Sequence, residues 1–534
     1  MRPASAARWV DATAPDRRPR PVRVLVRVLV RVLVGTAACL ASTLVATIVV
    51  LFSRALRLHD HPALATAARR ADRVVPLFVV DPRIFHASDR SPNRSAFLGE
   101  TLADLRHQLR QLGADLVLRA GDTVSETMAV ATTVGAEAVY FTHDVTGFAV
   151  RRARHLREAA LTVGIEVLGH PGVSVLEPGA VRPQGGGDHF KVFTPYWRHW
   201  SQAERRPVGA APGTLVLPAG IDVGGEVEEV VPAWTWVGDS PERALGGEGA
   251  AQRRLSQWRH AGGPNGYADN HDRLAADLTS RLSPYLHFGC LSALELARSL
   301  EVEVGANQSP GVQALLRQLC WRDFYHQVTA AFPAIASRDY RPGPAADTAR
   351  ADADTSADTP TAATGAGQDG LVQAWKDGRT GYPVVDAGMR QLRAEGWMHN
   401  RARLITASFL VKDLGVDWRV GAAHFRYWLS DGDVAQNSAN WQWMAGTGND
   451  TRPNRMLSPH RQAERFDPDG SYVRRYVPEL DRWAARATPA ERACIHRPHQ
   501  VAPGRGPTDY PLVIVDHNQV VGALRAAAQA RRLA

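Results

Sequence analysis

From residue 46 to about 178, short runs of β-branched and aromatic residues alternate with longer stretches whose apolar positions recur at helical spacing. Ala46–Phe52 (ATIVVLF), Val74–Val80, Asp115–Leu118, Ala138–Thr142 and Ile165–Leu168 read as strands, being short and rich in Val, Ile, Leu and aromatics. Between them, Arg94–Leu112 and Arg151–Val163 repeat apolar residues three and four apart, the period of a helix with one buried face. Strands separated by helices of this length predict a parallel sheet covered on both faces, a Rossmann-like α/β domain. No GxGxxG follows the first strand, which counts against ordinary dinucleotide binding there.

Residues 179–240 are rich in Gly, Pro, Glu and Val without sustained periodicity and read as a connector. Its aromatic island, His189–Trp200 (HFKVFTPYWRHW), is expected to anchor against a neighbouring domain rather than to bind a ligand. Over 241–534 the period is helical: Glu242–Arg259, Ser292–Leu300, Val312–Ala331, Tyr382–Glu395, Arg401–Leu414 and Ala422–Leu429 all carry it. Residues 345–370, built of Ala, Asp, Thr and Gly without aromatics, read as a solvated insertion. The prediction is an α/β domain, a long connector and an all-helical domain.

Ahead of the first strand, RVLV occurs three times over residues 23–34, and Gly35–Phe52 is mostly apolar behind a basic flank. Residues 1–45 are read as a disordered or miscalled extension, with a targeting role as the alternative. At 534 residues the chain exceeds one core, and 45% hydrophobic with 22% charged content fits a soluble protein with ample core material. The net charge of +9 favours an anionic partner only modestly, because lysine stands only at 191, 376 and 412 and arginine carries the rest. Cys39, Cys290, Cys320 and Cys494 form no CxxC, so neither a disulfide scaffold nor a metal cluster is expected, and the cytoplasm is the natural compartment.

The densest chemistry lies in Asp431–Trp443 (DGDVAQNSANWQW), with two carboxylates two apart, a run of amides and two indoles two apart. Ordinary acid–base chemistry has little use for that combination, whereas a flavin exchanging single electrons does. Upstream, Trp397–Phe409 supplies Asn400, Arg401 and Arg403 on a helix. Arg403, set in the apolar RLITASFL run, needs an opposite charge when buried, and Asp431 is the expected partner. Asp431 and Asp433 cannot share one helical surface, so a turn at Gly432 should bring both to polar edges of a ring or ribose. A metal site or a paired acid–base dyad competes, without a histidine cluster or third carboxylate to support it. Trp441 and Trp443 point to different sides, one toward a cofactor and one lining a pocket, with core packing as the plain alternative. Thr279–Pro284 groups three hydroxyls, Arg281 and a helix start, which suits a pyrophosphate. Ser283-Pro284 equally suits a simple helix cap, and composition leaves the two readings open. Trp321-Arg322, with Arg401 and Arg455 in similar mixed segments, suits an extruded base stacked on a ring with phosphates alongside.

Together these segments resemble the photolyase/cryptochrome family, most of all its microbial class I cyclobutane pyrimidine dimer photolyases. The resemblance rests on RLHDHPAL (57–64), TSRLSPYLHFG (279–289), WRDFYHQ (321–327), GRTGYPVVDAGMRQL (378–392), GWMHNRARLITASFLVKDLGVDWR (396–419), DGDVAQNSANWQW (431–443) and YPLVIVDH (510–517). It runs from about residue 48 to the C-terminus. It implies FAD folded within the helical domain, held by Tyr267, Thr279, Ser280, Arg281, Leu282, Ser283, Gln318, Arg322, Asn400, Arg403, Asp431, Asp433 and Asn437, with Asn437 beside flavin N5. It implies an antenna, 8-hydroxy-5-deazaflavin or methenyltetrahydrofolate, at the N-terminal domain. The implied activity is light-dependent repair of pyrimidine dimers in UV-damaged DNA. The lesion would be flanked by Trp321 and Trp443, with Asn400 and Leu404 nearby and Arg322, Arg401 and Arg455 on its strand. A monomer without an obligate protein partner or membrane attachment is implied as well.

The chain departs from the family pattern at several places. Gln318 stands where dimer photolyases carry glutamate, so an amide replaces a charge. Leu404 replaces a methionine, keeping bulk and losing sulfur. Histidines expected of (6-4) photolyases are absent at Asn400 and Leu404. Trp441 and Trp418 match the first two members of the tryptophan triad that photoreduces FAD, while the outer position falls near Gly365. Ser53 and Ala55 depart from the usual WFRRDLRLHD pattern at the start of the domain. A cryptochrome-like light sensor and a dark redox flavoprotein are the competing functions.

Overall fold

In the computed structural model, which describes residues 45–85, 90–231, 237–276, 278–304, 309–341, 366–450 and 455–533, contacts separate Met1–Ala46 from Thr47–Ala534. The expectation for residues 1–45 lies almost wholly outside the described residues. The second unit opens with a parallel sheet of β1 (Thr47–Phe52), β2 (Arg73–Val80), β3 (Val117–Ala120), β4 (Ala138–Thr142) and β5 (Glu166–His170), ordered β3-β2-β1-β4-β5. β1 lies centrally and is buried along its whole length, in keeping with the unbroken apolar run Ile48–Phe52. Pro76 is tolerated within β2 because the pairing of β2 with β3 begins only at Leu77, opposite Val117, leaving no ladder partner for Pro76 on that side to lose.

The two-residue alternation of the strands feeds two cores. Ile48, Val50 and Phe52 meet α1 (Pro62–Arg70) and α2 (Pro92–Gln111). Val49 and Leu51 meet α3 (Thr123–Thr133) and α4 (Gly147–Leu161) on the other face. The α/β expectation holds. Strand boundaries differ from the sequence reading by no more than a couple of residues, as fraying ends do.

The connector carries α5 (Phe193–Gln202), whose Phe193, Tyr196 and Trp200 are buried in the core of the helical domain. Trp200 Nε1 donates to Asp323 at 2.9 Å. The aromatic island is therefore an anchor. The helical domain then runs through α6 (Glu248–His260), α7 (Gly263–Asn270), α8 (Ser283–Phe288), α9 (Ala293–Val304), α10 (Pro310–Ala331), α11 (Ala366–Lys376), α12 (Pro383–Glu395), α13 (Asn400–Ser408), α14 (Trp418–Trp428) and α15 (Val434–Ala445). Shorter helices follow, and α16 (His517–Leu533) closes the chain.

Two readings change. The single helix expected over Arg401–Leu414 is α13 followed by a π-helical turn, Phe409–Asp413. The insertion 345–370 falls mostly outside the described residues, but α11 begins at Ala366, so its last residues are helical. Among the described residues no helix is long and apolar enough to cross a membrane.

Candidate functional site

A cleft of about 500 Å³ opens between α13, α14 and α15, lined among others by Asn400, Arg403, Leu404, Phe425, Asp431, Asn437 and Trp441. Helical spacing makes it: Asn400, Arg403, Leu404 and Ala407 share one face of α13, as Asn437, Asn440, Trp441 and Met444 share one face of α15. Arg403 Nη1 and Nη2 meet Asp431 Oδ1 and Oδ2 at 3.1 and 2.8 Å, a two-pronged pair, while its Nε donates to Met398 O at 2.8 Å. The carboxylate is buried and the guanidinium partly exposed, so the expected pair forms at the edge of the cleft. Asn437 Nδ2 donates to Ala422 O at 2.9 Å, leaving its amide oxygen as the group available for a ligand N–H. Trp441 packs edge-on to Phe425 at 4.9 Å and to Trp375 at 6.2 Å. Gly421 makes room for it, since a Cβ there would lie 2.1 Å from the indole.

Asp433 behaves differently from its neighbour. Its Oδ1 caps α15 by accepting from Gln436 N at 3.0 Å. Its Oδ2 accepts from Arg54 Nη2 at 3.1 Å and lies 3.5 Å from His287 and 3.9 Å from His326. Arg54 also donates to Asp144 at 3.3 Å. Burial works to raise the pKa of Asp433, but His287, His326 and Arg54 hold it well below the usual carboxylate range. Gly432 therefore separates the two carboxylates: Asp431 borders the cleft, and Asp433 turns toward the N-terminal domain. Of the two carboxylates expected to meet a ring or ribose, Asp431 lines the cleft and Asp433 does not.

The hydroxyl loop is built by its neighbours. Trp258 Nε1 holds Leu278 O, and Arg254 holds Thr279 O and Ser280 O, each at 3.0 Å. Because the two ends of a peptide group point in opposite directions, the N–H groups of Thr279, Ser280 and Arg281 face away from α6. Thr279 Oγ1 is buried without a hydrogen-bond partner, and Arg281 sits at φ +53°, a conformation uncommon outside glycine. An unpaired hydroxyl beside outward N–H groups fits a phosphate. The Ser283 cap does not form: Leu282 occupies the capping position without a side-chain bond, and Ser283 Oγ accepts from Trp397 Nε1 at 3.2 Å. The side chain of Arg281 pairs with Glu395 at 2.7 Å and lies over Trp397 at 4.3 Å. Its contribution to the loop is thus its backbone. Tyr267 is buried on α7 and stacks on His271 at 5.2 Å.

The remaining sequence candidates are dispersed. Arg322 is buried, donating to Val173 O at 2.6 Å and Leu286 O at 3.0 Å, so its guanidinium ties α10 to the chain after β5 and does not face solvent. Arg401 pairs with Asp272 at 2.6 Å and lies over Phe466 at 4.3 Å. Gln318 is exposed on α10, one turn before Trp321, which stacks on Phe193 at 3.7 Å. Exposed Arg455 reaches the Trp443 ring at 6.0 Å. Trp418 is buried with Nε1 on Asp339 at 2.9 Å and packs against no other aromatic ring among the described pairs; Gly365 lies outside the described residues. Trp375, Phe425, Arg54, His287 and His326 were not singled out in the sequence. Only the LHFG and WRDFYH segments hinted at the two histidines.

A second, larger cleft of about 890 Å³ lies at the carboxyl ends of β1 and β2, where α/β sheets hold ligands. It combines Phe52, Phe78, Phe148 and Phe288 with Arg54, Arg94 and Arg152. Ser53 Oγ accepts from Arg152 at 2.8 Å, so the serine orients a wall residue. Among the described residues no cluster of potential metal ligands exists, and the metal alternative gains nothing.

Residues 48–213 match the DNA photolyase family, and residues 315–530 match the FAD binding domain of DNA photolyase. A deoxyribodipyrimidine photo-lyase of Streptomyces griseus is 46% identical over 88% of this chain and 96% of its own length. That of Halobacterium salinarum is 37% identical over 87% and 95% respectively. The fold superposes on a bacterial class III photolyase from Agrobacterium tumefaciens with a TM-score of 0.80 at 30% identity, covering 93% of this chain and all of the other. With a parallel sheet, a helical FAD-binding domain and this degree of identity along most of its length, the chain belongs to the DNA photolyase family.

Proposed function

We propose that this chain is a deoxyribodipyrimidine photo-lyase that uses light to split cyclobutane pyrimidine dimers in DNA. The observation that carries the reading is the cleft in which the Arg403–Asp431 pair, Asn437 and Trp441 converge. Reduced FAD bound there would supply, on photoexcitation, the reversible single-electron chemistry that opening a cyclobutane ring requires. The chain's own task is to bind, orient and insulate. Arg403, its charge balanced by Asp431, offers a positive edge for the electron-rich ring. Asn437 offers its amide oxygen to a ring N–H, and the backbone of Thr279–Ser283 with the Thr279 hydroxyl holds the pyrophosphate. Trp441 and Phe425 close the apolar side against water.

DNA is the partner. Gln318 on the exposed face of α10, with Asn400, Trp321, Trp443 and Arg455 at or near the surface, receives the extruded lesion. An amide at 318 donates a hydrogen bond to a pyrimidine carbonyl without adding charge. Arg322 supports this surface from behind. The cleft at β1 and β2 takes the antenna: its aromatic walls suit a planar chromophore and its three guanidinia suit an anionic one. The division into an α/β domain over 46–178, a connector over 179–240 and a helical domain from 241 serves this arrangement. The buried thiols of Cys290 and Cys320 agree with work in the cytoplasm.

The test is loss of dimers from UV-treated DNA under blue light after reduction of the purified protein. Tight lesion binding without turnover would favour a light sensor, and dark turnover of a small molecule would favour a redox flavoprotein.

A further inference from the structure

Among the described residues, most arginines that touch an aromatic ring also hold a carboxylate or a carbonyl. Arg401 over Phe466 pairs with Asp272, Arg281 over Trp397 with Glu395, and Arg419 over Trp418 with Asp339. Arg317, like Arg157, Arg455 and Arg465, holds neither. Its guanidinium lies 5.3 Å from the Phe193 ring and 5.2 Å from the Trp197 ring, and it has no hydrogen bond or ion pair among the described residues. It stands one helical turn before Trp321 on the solvent-facing side of α10, adjacent to exposed Gln318. Phe193, the ring beneath Arg317, stacks on Trp321 at 3.7 Å with 3° between the planes. Lys191, two residues before Phe193, and Arg198, next to Trp197, are also exposed, and their charged groups are likewise without ion pairs or hydrogen bonds among the described residues.

We infer that the α5–α10 seam is a phosphate-binding strip, with Arg317 as its principal contact, that extends the DNA footprint from the lesion pocket across the connector. This rests on the repair reading. The physical argument is charge complementarity at a prepared position. The two aromatic faces hold the guanidinium by cation–π attraction without consuming its N–H donors. The donors therefore remain available in a fixed plane for phosphate oxygens, with less rotamer freedom to lose on binding. Because Arg317 and Trp321 share one face of α10, a base against the indole leaves its flanking phosphates near the guanidinium. The aromatic island then has two uses: Phe193, Tyr196 and Trp200 anchor the connector, and Phe193 and Trp197 seat the arginine.

The experiment uses the full chain with bound FAD, a duplex oligonucleotide carrying one thymine dimer, and a dimer-containing dinucleotide that lacks flanking phosphates. Affinity for the duplex is measured against salt concentration for the parent, Arg317→Ala and Arg317→Lys. The expected result for Arg317→Ala is binding about fivefold weaker at physiological salt, with the slope of log affinity on log salt shallower by about 0.9. Dinucleotide binding and flavin absorbance stay at the parent's level, and Arg317→Lys recovers the slope. An unchanged slope in Arg317→Ala overturns the inference. So does a parallel fall in dinucleotide binding, which would place Arg317 in the lesion pocket or in the fold. A parent that shows the slope effect but repairs nothing under light leaves the strip standing and removes the repair reading. A parent that binds no DNA removes both.

Discussion

Arg54 and Asp433 are 379 residues apart in the chain and 3.1 Å apart in the fold. The arginine follows the central strand and lines the larger cleft, and the aspartate caps the helix that carries Asn437 and Trp441. One buried ion pair thereby links the wall of the larger cleft to the helix that lines the smaller one.

Removing that arginine takes the permanent positive charge from two buried carboxylates, Asp433 and Asp144, and leaves only histidines beside the first. Arg54→Ala is expected to lower unfolding free energy by about 3 kcal/mol, the range found when one partner of a buried pair is deleted. Thermal or urea unfolding checks it. A change under about 0.5 kcal/mol would mean that His287 and His326 already neutralise Asp433.

Arg403→Ala and Asp431→Asn each break the two-pronged pair at the cleft proposed to hold the flavin, and both are expected to purify with much less FAD. Arg403→Lys keeps the charge but not the fork, so its occupancy should fall between them and the parent. Flavin released per chain on denaturation is the measurement; full occupancy in all three variants refutes the role.

Gln318→Glu places a charge at the exposed position proposed to receive the lesion. It is expected to change the repair rate by severalfold, roughly the effect of one charge-assisted bond, with the product unchanged. Counting dimers removed per absorbed photon decides it. Repair that appears only in the variant would show that the parent is inactive on dimers.

Trp441 touches Trp375 and not Trp418 among the described ring pairs. Trp375→Phe is therefore expected to slow photoreduction of oxidised bound FAD in the presence of a thiol at least as much as Trp418→Phe does. Repair by protein that was chemically reduced beforehand should be unaffected in both, since no relay is needed. Unchanged photoreduction in Trp375→Phe removes it from the path.

Burial pushes the carboxyl of Asp467 up to about 7, although the N–H groups of Tyr472 and Val473 donate to it. A raised folded pKa means that its stabilising contribution is fully present below the unfolded value near 3.9 and is lost as pH rises through 7. Asp467→Asn stays neutral, so its stability relative to the parent should improve by about 1–2 kcal/mol between pH 5.5 and 8. Unfolding at the two pH values tests the sign; a constant difference refutes it.

Period and local chemistry were enough for the elements and their class. Strands such as ATIVVLF carry their burial in their own composition, and helices such as α10 and α12 carry theirs in spacing. The Arg403–Asp431 pair was legible for the same reason: a guanidinium in an apolar run requires a partner, and a nearby carboxylate supplied one. What required the tertiary structure was direction. Asp433 lies two residues from Asp431, yet a turn at Gly432 and the arrival of Arg54 from the other end of the chain point it into a different domain. Arg322 looked like a surface contact until two backbone carbonyls claimed its donors. Ser283 looked like a cap until Trp397 claimed its hydroxyl. Burial follows from residue type and period, which are local. The partner of a polar group depends on which distant segment arrives beside it, and no local pattern encodes that.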